Sequence, residues 1–269
     1  MIEIALCLAI IGFALISILL VLPTGMHTQR DTREETIIGQ DASMLLEAIR
    51  GGARGVDDLT NYVYAITNYF QGYDVFGNPV RAVHVAGYNY TGASLDGATM
   101  PGMHLTNGLR IIGLLSTPEF TTSDPLHQPQ IGGLPISSKF NTYYTSNHVV
   151  AYIRSFSGLA AEKPPQDNQI MQGDTFSYRL LCVNAPMAVD TNVMFLSGNS
   201  AYVHELAGSM RELRLLFEWP ELPDGNVGRF RQTFRATVAG QLIATNYGYY
   251  FPNIQTLYFY DSQSFTNVR

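Results

Sequence analysis

The first twenty-two residues, MIEIALCLAIIGFALISILLVL, are apolar on every side of a helix and hold one charge, Glu3, before Pro23. A bilayer core takes roughly 20 apolar residues to cross, so this run predicts a membrane-length helix. Beyond Pro23 the pattern changes. Ile38, Ala42, Leu45, Leu46 and Ile49 recur at three- and four-residue spacing, which makes one apolar stripe. Arg33, Glu34, Gln40, Asp41, Glu47 and Arg50 read as lying mostly off that stripe, and Gly51, Gly52 and Gly55 read as a stop. A proline inside a helix removes one hydrogen bond and kinks the axis. The expectation is one kinked helix over residues 1 to about 50, roughly 75 Å long at 1.5 Å per residue. Its first half is apolar and its second half must lie against something.

The body then switches to a period of two. In RELRLLFEWPEL, Leu213, Leu215, Phe217 and Trp219 point one way while Arg214 and Glu218 point the other. In RFRQTFRATVAGQLI, Phe230, Phe234, Ala236 and Val238 share one side, and Arg229, Arg231, Thr233, Arg235 and Thr237 share the opposite one. Such alternation predicts half-buried strands. PELPDGNVG between them is a turn, so residues 211–240 read as an antiparallel hairpin. Weaker strand candidates are 80–86, 109–115, 148–156, 175–184 and 255–260. FGNP at 76–79 reads as a turn, and AAEKPPQDNQ at 160–169 reads as a loop that could divide the body into two lobes. The fold class is therefore α+β: a rod over 1–55 (1–22 apolar, 23–55 amphipathic) and a predominantly antiparallel β head over 56–269.

Composition adds constraints. The chain of 269 residues has a net charge of −6, and its only lysines are Lys139 and Lys163. No basic run occurs, which argues against nucleic acid as a partner. Cys7 lies in the apolar run and Cys182 far off in the body, so no intrachain disulfide is expected, and no CxxC or CxxH spacing signals zinc. A cleaved signal peptide starts with basic residues, whereas the first basic residue here is Arg30. A retained membrane helix fits better.

A glutamate early in an apolar helix (Ile2-Glu3), the run ALCLAIIGFALISILLVLP and an amphipathic continuation resemble the bacterial type IV pilin family. That family includes type IV pilus subunits and the pseudopilins of type II secretion. The resemblance covers roughly residues 1–50 and implies a rod helix packed on a β-rich head. It also implies cleavage by a prepilin peptidase, an N-methylated first residue and assembly into a homopolymeric filament. In the family the glutamate is usually fifth after the cut, while here it is third. Either residues and a leader lie upstream of Met1 or this pilin is atypical.

The resemblance assigns Glu3 to pairing with the N-terminal amine of a neighbouring subunit, since a buried charge is tolerable when paired. The bland alternative is that Glu3 reaches lipid headgroups from the helix end. Pro23 and Gly25 mark an expected kink or melted stretch within 17–27. The partners implied are further copies of the chain, the inner membrane before assembly, and a pilus or secretion machinery. The implied location is the inner membrane for the precursor and the cell surface for the fibre. Adhesion, motility, DNA uptake and export are not told apart. The competing readings are a pseudopilin and a bitopic anchor that holds a β domain for ligand binding.

No enzyme motif emerges, and neither a cofactor nor a metal site is expected. HELAG at 204–208 begins like the H-E-x-x-H zinc motif but has Gly208 where the second histidine belongs. The six histidines show no ligand spacing, and Asp57-Asp58 are adjacent acids read as solvated. Asn89-Tyr90-Thr91 fits the N-x-T sequon, a three-residue pattern of low specificity. YVYAITNYFQGYDVF and TNYGYYFPNIQTLYFY are aromatic clusters suited equally to core and to subunit contact.

Overall fold

The computed structural model describes residues 2–52, 57–74, 76–80, 82–122, 130–131, 134–135, 144–157, 176–186, 210–222, 225–245 and 256–261. Helix α1 runs from Ile2 to Gly51 with Pro23 inside it, and residues 17–27 are helical throughout. The expected melted stretch is therefore not present in the single chain. One missing N–H costs about 3 kcal/mol, and regular helix on both sides carries the rod through. The stop is as expected. Gly52 has φ +60°, and a Cβ there would lie 2.7 Å from the Tyr260 carbonyl oxygen, so only glycine suits this exit.

After a 3-10 turn at Asp57–Asn61 come β1 (Val63–Tyr73), β2 (His84–Asn89) and β3 (Met103–His104), then helix α2 (Gly108–Leu115). There follow β4 (Phe120–Thr122), β5 (Gln130–Ile131), β6 (Leu134–Pro135), β7 (Tyr144–Arg154) and β8 (Ser177–Pro186). The last strands are β9 (Met210–Glu221), β10 (Val227–Ala239), β11 (Gln241–Thr245) and β12 (Leu257–Asp261). One eight-stranded sheet has the order β10-β9-β8-β7-β1-β2-β3, with β4 also paired to β7. All its pairings are antiparallel except β2 with β3. The 211–240 hairpin forms as expected, with Phe234 opposite Leu215 and Ala236 opposite Leu213. The 76–79 turn also forms: Gly77 has φ +81° and Asp74 accepts the amides of Phe76 and Asn78. Segment 160–169 lies outside the described residues, and β7 and β8 on either side of it pair with each other in one sheet.

The strand expected at 109–115 is a helix. A short apolar run does not by itself distinguish the two. Here Asn107 decides: its side chain accepts the Arg110 amide at 2.9 Å and so caps α2. Helix α2 buries Ile111, Ile112, Leu114 and Leu115.

The sheet has two distinct faces. Ala151, Leu180 and Phe217 stand in register on the inner row, as do Val149, Cys182 and Leu215, and all are buried. The docked part of α1 joins this core through Ile38, Ala42, Leu45 and Ile49, each 0% exposed. The outer row alternates with it: Val150, Leu181 and Leu216 in register, then Tyr152, Arg179 and Glu218. These side chains are only half-buried. Helix and sheet thus enclose one core, and the sheet turns its other face outward.

Candidate functional site: an apolar rod locked into the head

From Ile2 to Leu22 the rod has no cover. Among the described residues, Ile2, Phe13, Leu19 and Leu20 are 85%, 75%, 70% and 71% exposed. This segment is long and apolar enough to cross a membrane. Glu3 sits in its first turn, exposed between Ile2 and Ile4, with no ion pair among the described residues. A carboxylate there also suits the positive end of the helix dipole. Pro23 is exposed, and a Cβ on Gly25 would meet nothing within 4 Å.

The buried residues of α1 begin at Glu34, so the rod stands clear of the head for about 48 Å at 1.5 Å per residue. From there, positions 34, 38, 41, 42, 45 and 49 are buried. This corrects the expected placement of two acids. Glu34 and Asp41 are 7% and 1% exposed and lie on the docked face. Glu34 is paired with Arg30 at 2.8 Å one turn earlier, which keeps its charge compensated at the rim of the head.

Asp41 is the residue that sequence reasoning missed. Its Oδ2 accepts the Phe156 amide at 3.1 Å and the Tyr178 phenol at 3.0 Å, and its Oδ1 accepts the Ser157 hydroxyl at 2.8 Å. Phe156 and Ser157 follow β7, and Tyr178 lies on β8 with its ring 5.2 Å from that of Phe217. One carboxylate therefore ties the rod to two strands. Burial pushes its pKa up, and hydrogen bonds, that of Ser157 first, pull it partly back. The same burial, together with the facing carboxylate, holds the Tyr178 phenol far above its ordinary value. Both groups serve to hold the rod, since neither lies where a substrate could reach it.

A second polar seam crosses the inner face. The Asn184 side chain donates to the Ser116 carbonyl at 2.7 Å and accepts the Tyr260 phenol at 2.6 Å. The Asn147 amide donates to the Pro118 carbonyl at 3.1 Å. These asparagines fasten the α2–β4 connection and account for buried polar groups in the core. Tyr258 and Tyr260 are 8% and 5% exposed, so that end of the second aromatic cluster is core, whereas Tyr69 of the first cluster is 37% exposed on the outer row.

The remaining sequence motifs do not converge. Asn89 ends β2, and its Nδ2 already donates to the Ala93 carbonyl at 2.9 Å, a bond a glycan on that nitrogen would have to displace. The HELAG motif lies outside the described residues. Among the described residues no three of His, Cys, Asp and Glu gather as metal ligands. Cys182 is buried, donates to the Leu115 carbonyl at 3.0 Å, and has its pKa pushed up to about 12 by burial. Such a thiol is poorly placed as a nucleophile. Comparison of the chain with protein-family models, with curated proteins and with solved structures found no match.

Proposed function

We propose that this chain is a structural subunit of a helical filament of the type IV pilus kind, inserted in a membrane before assembly and held in the fibre by its apolar rod. The observation that carries the reading is the junction of rod and head. One helix runs from the exposed apolar segment straight into the core, with no linker, and is fixed there by four buried aliphatic side chains and Asp41. A tether that merely keeps a domain near a membrane needs no such rigidity. A lattice subunit does, because the angle between rod and head sets where its neighbours sit.

The energetics require that the apolar rod be covered. Burying one large aliphatic side chain gains about 1.5–3 kcal/mol. Fourteen large apolar side chains between Ile2 and Leu22 are more than half exposed, so covering them gains on the order of 20–40 kcal/mol. Lipid or a bundle of identical rods supplies that cover equally well. Passage from one to the other changes little buried area, which is why extraction would call for an energy-driven machine. Within such a bundle Glu3 meets a neighbour's amine and fixes the register.

The test is electron microscopy of sheared surface material from cells producing the full chain, alongside Glu3→Ala. Fibres of this one chain are expected, with their yield lowered at least about tenfold in the variant, because leaving a buried charge unpaired costs about 3–5 kcal/mol. Material that is only a detergent-soluble monomer would leave the plain anchor standing. Short fibres seen on overexpression alone would favour the secretion pseudopilin.

A further inference from the structure

The outer face of the sheet carries an excess of positive charge, and it is concentrated on β10. The three glutamates of β9 are already engaged: Glu218 with Arg179 at 2.5 Å, Glu212 with Arg214 at 2.5 Å, and Glu221 with the Tyr64 hydroxyl. Strand β10 adds Arg229, Arg231 and Arg235 and no acid. Arg235 lies 4.0 Å from the shared Glu212, while Arg229 and Arg231 are exposed and form no ion pair among the described residues. Next to this charge runs the half-buried row Val150, Leu181 and Leu216, flanked by Tyr69. An apolar row with arginine and tyrosine at its margin has the composition of a protein interface.

A face this basic in a chain of net charge −6 leaves the rest of the molecule more acidic still. Two exposed acids, Asp57 and Asp58, lie away from that face. Rod and α2 cover the inner face, and the 3-10 turn beside α2 exposes Asp57 and Asp58. Glu47 on the rod is paired with Arg50 at 3.4 Å and adds no net charge there, so the aspartates of the turn carry the negative charge.

We propose that the outer sheet face of one copy docks on the acidic 3-10 turn of the next copy, with Arg229 and Arg231 set against Asp57 and Asp58. The inference rests on the filament reading and deepens it. Two different patches make a head-to-tail contact, and a head-to-tail contact that does not close generates an open helix of subunits. Steering between opposite charges also selects this docking over like-face pairing. The heads then contribute their own bond to the fibre, apart from that of the rods.

The experiment exchanges the charges in the full chain. Arg229→Glu with Arg231→Glu, and separately Asp57→Arg with Asp58→Arg, are each expected to lower fibre yield about tenfold or more, since like charges set face to face cost several kcal/mol. The fourfold variant carrying both exchanges restores the pairing and is expected to return fibres to the wild-type yield. None of these residues is in an ion pair of the head's own core, so β-sheet circular dichroism should be unchanged. A second measurement separates this contact from the filament reading: in a Cys7→Ser background, Arg231→Cys with Asp58→Cys is oxidised in membranes. A ladder of disulfide-linked dimers, trimers and higher species is expected. Wild-type fibres without rescue by the fourfold variant and without the ladder would overturn the contact and leave the filament intact. A ladder without wild-type fibres would retain the contact and overturn the filament. A ladder that stops at dimers would replace head-to-tail docking by a closed pair.

Discussion

Asp41 offers the sharpest perturbation of the rod–head junction. Asp41→Ala leaves a buried backbone N–H, the buried Tyr178 hydroxyl and the half-buried Ser157 hydroxyl without their acceptor. A buried unsatisfied group costs about 1–3 kcal/mol, and the two hydroxyls can turn to other acceptors, so the expected loss is about 3–5 kcal/mol. Asp41→Asn is the informative partner. Its amide oxygen can still accept from Phe156 and Tyr178, while its NH2 can donate to Ser157, whose hydroxyl then turns round. That change should cost no more than about 1 kcal/mol. The chain's one tryptophan, Trp219, is 3% exposed on β9 and reports unfolding of the head. With a urea slope near 2–3 kcal/mol/M, Asp41→Ala should lower the midpoint of the detergent-solubilised chain by about 1–2 M. Hydrogen exchange along 38–49 should accelerate in step.

The pH dependence carries a sign that a mere packing role would not produce. Burial raises Asp41's folded-state pKa, so the folded chain holds this proton more tightly than the unfolded chain does. That contribution to stability is complete below the unfolded value near 3.9 and is lost as pH rises through the folded value. Carboxylates with lowered pKa act in the opposite sense: Asp74, held down chiefly by the Asn78 amide, supports the fold above its unfolded value and loses that support as pH falls. Comparing wild type with Asp41→Asn removes the terms they share. Asp41→Asn should gain on wild type from pH 4 upward, then run parallel to it. If it loses ground as pH rises, the hydrogen bonds outweigh desolvation and the reasoning is refuted.

Two further substitutions test the packing. Leu45→Ala, at a position 0% exposed, should cost about 2–5 kcal/mol by the same urea assay. Met44→Ala next to it, 45% exposed, should stay within about 0.5 kcal/mol. Gly113→Ala places a Cβ 2.7 Å from Leu257 Cβ and 2.8 Å from Phe259 Cζ, so α2 must lift from β12 at about 1–3 kcal/mol. An unshifted midpoint for that variant would show that α2 does not pack so closely.

The parts of the fold that were legible in the sequence are those where one period runs long. Leu213 to Trp219 alternate with the single exception of Leu216, and every inward position is buried. Ile38 to Ile49 repeat at helical spacing, and the docked face is the one they mark. The docked acids were less legible. Positions 34, 38, 41 and 45 lie on one side of a helix, so helical spacing puts Glu34 and Asp41 on the docked face although carboxylates are seldom buried. What makes Asp41 tolerable there is the set of donors at 156, 157 and 178. They are more than a hundred residues away, and no local pattern points to them. The helix at Gly108–Leu115 failed for a different reason: eight residues are too few for periodicity to decide, and the deciding signal was a single capping asparagine.

The position of Pro23 and Gly25 gains meaning from where the docking begins. The nearest buried side chain is Glu34, nine residues beyond Gly25, or about 14 Å along the rod. A bend or loss of helix at 17–27 would thus redirect the apolar segment without loosening any contact of the head. The proline weakens the helix where nothing packs on it, and the firm part, with Asp41 at its centre, lies wholly within the head. The lone chain keeps the helix intact through Pro23. A change of surroundings, from lipid to a bundle of neighbours, needs to outweigh only a few residues' worth of helix to alter the rod's direction, whereas releasing the head would require undoing Ile38, Leu45, Ile49 and Asp41 together. Adjustment and attachment are placed on separate stretches of one helix, which is the division of labour a subunit needs if it is to leave one environment and fit another with its head unchanged.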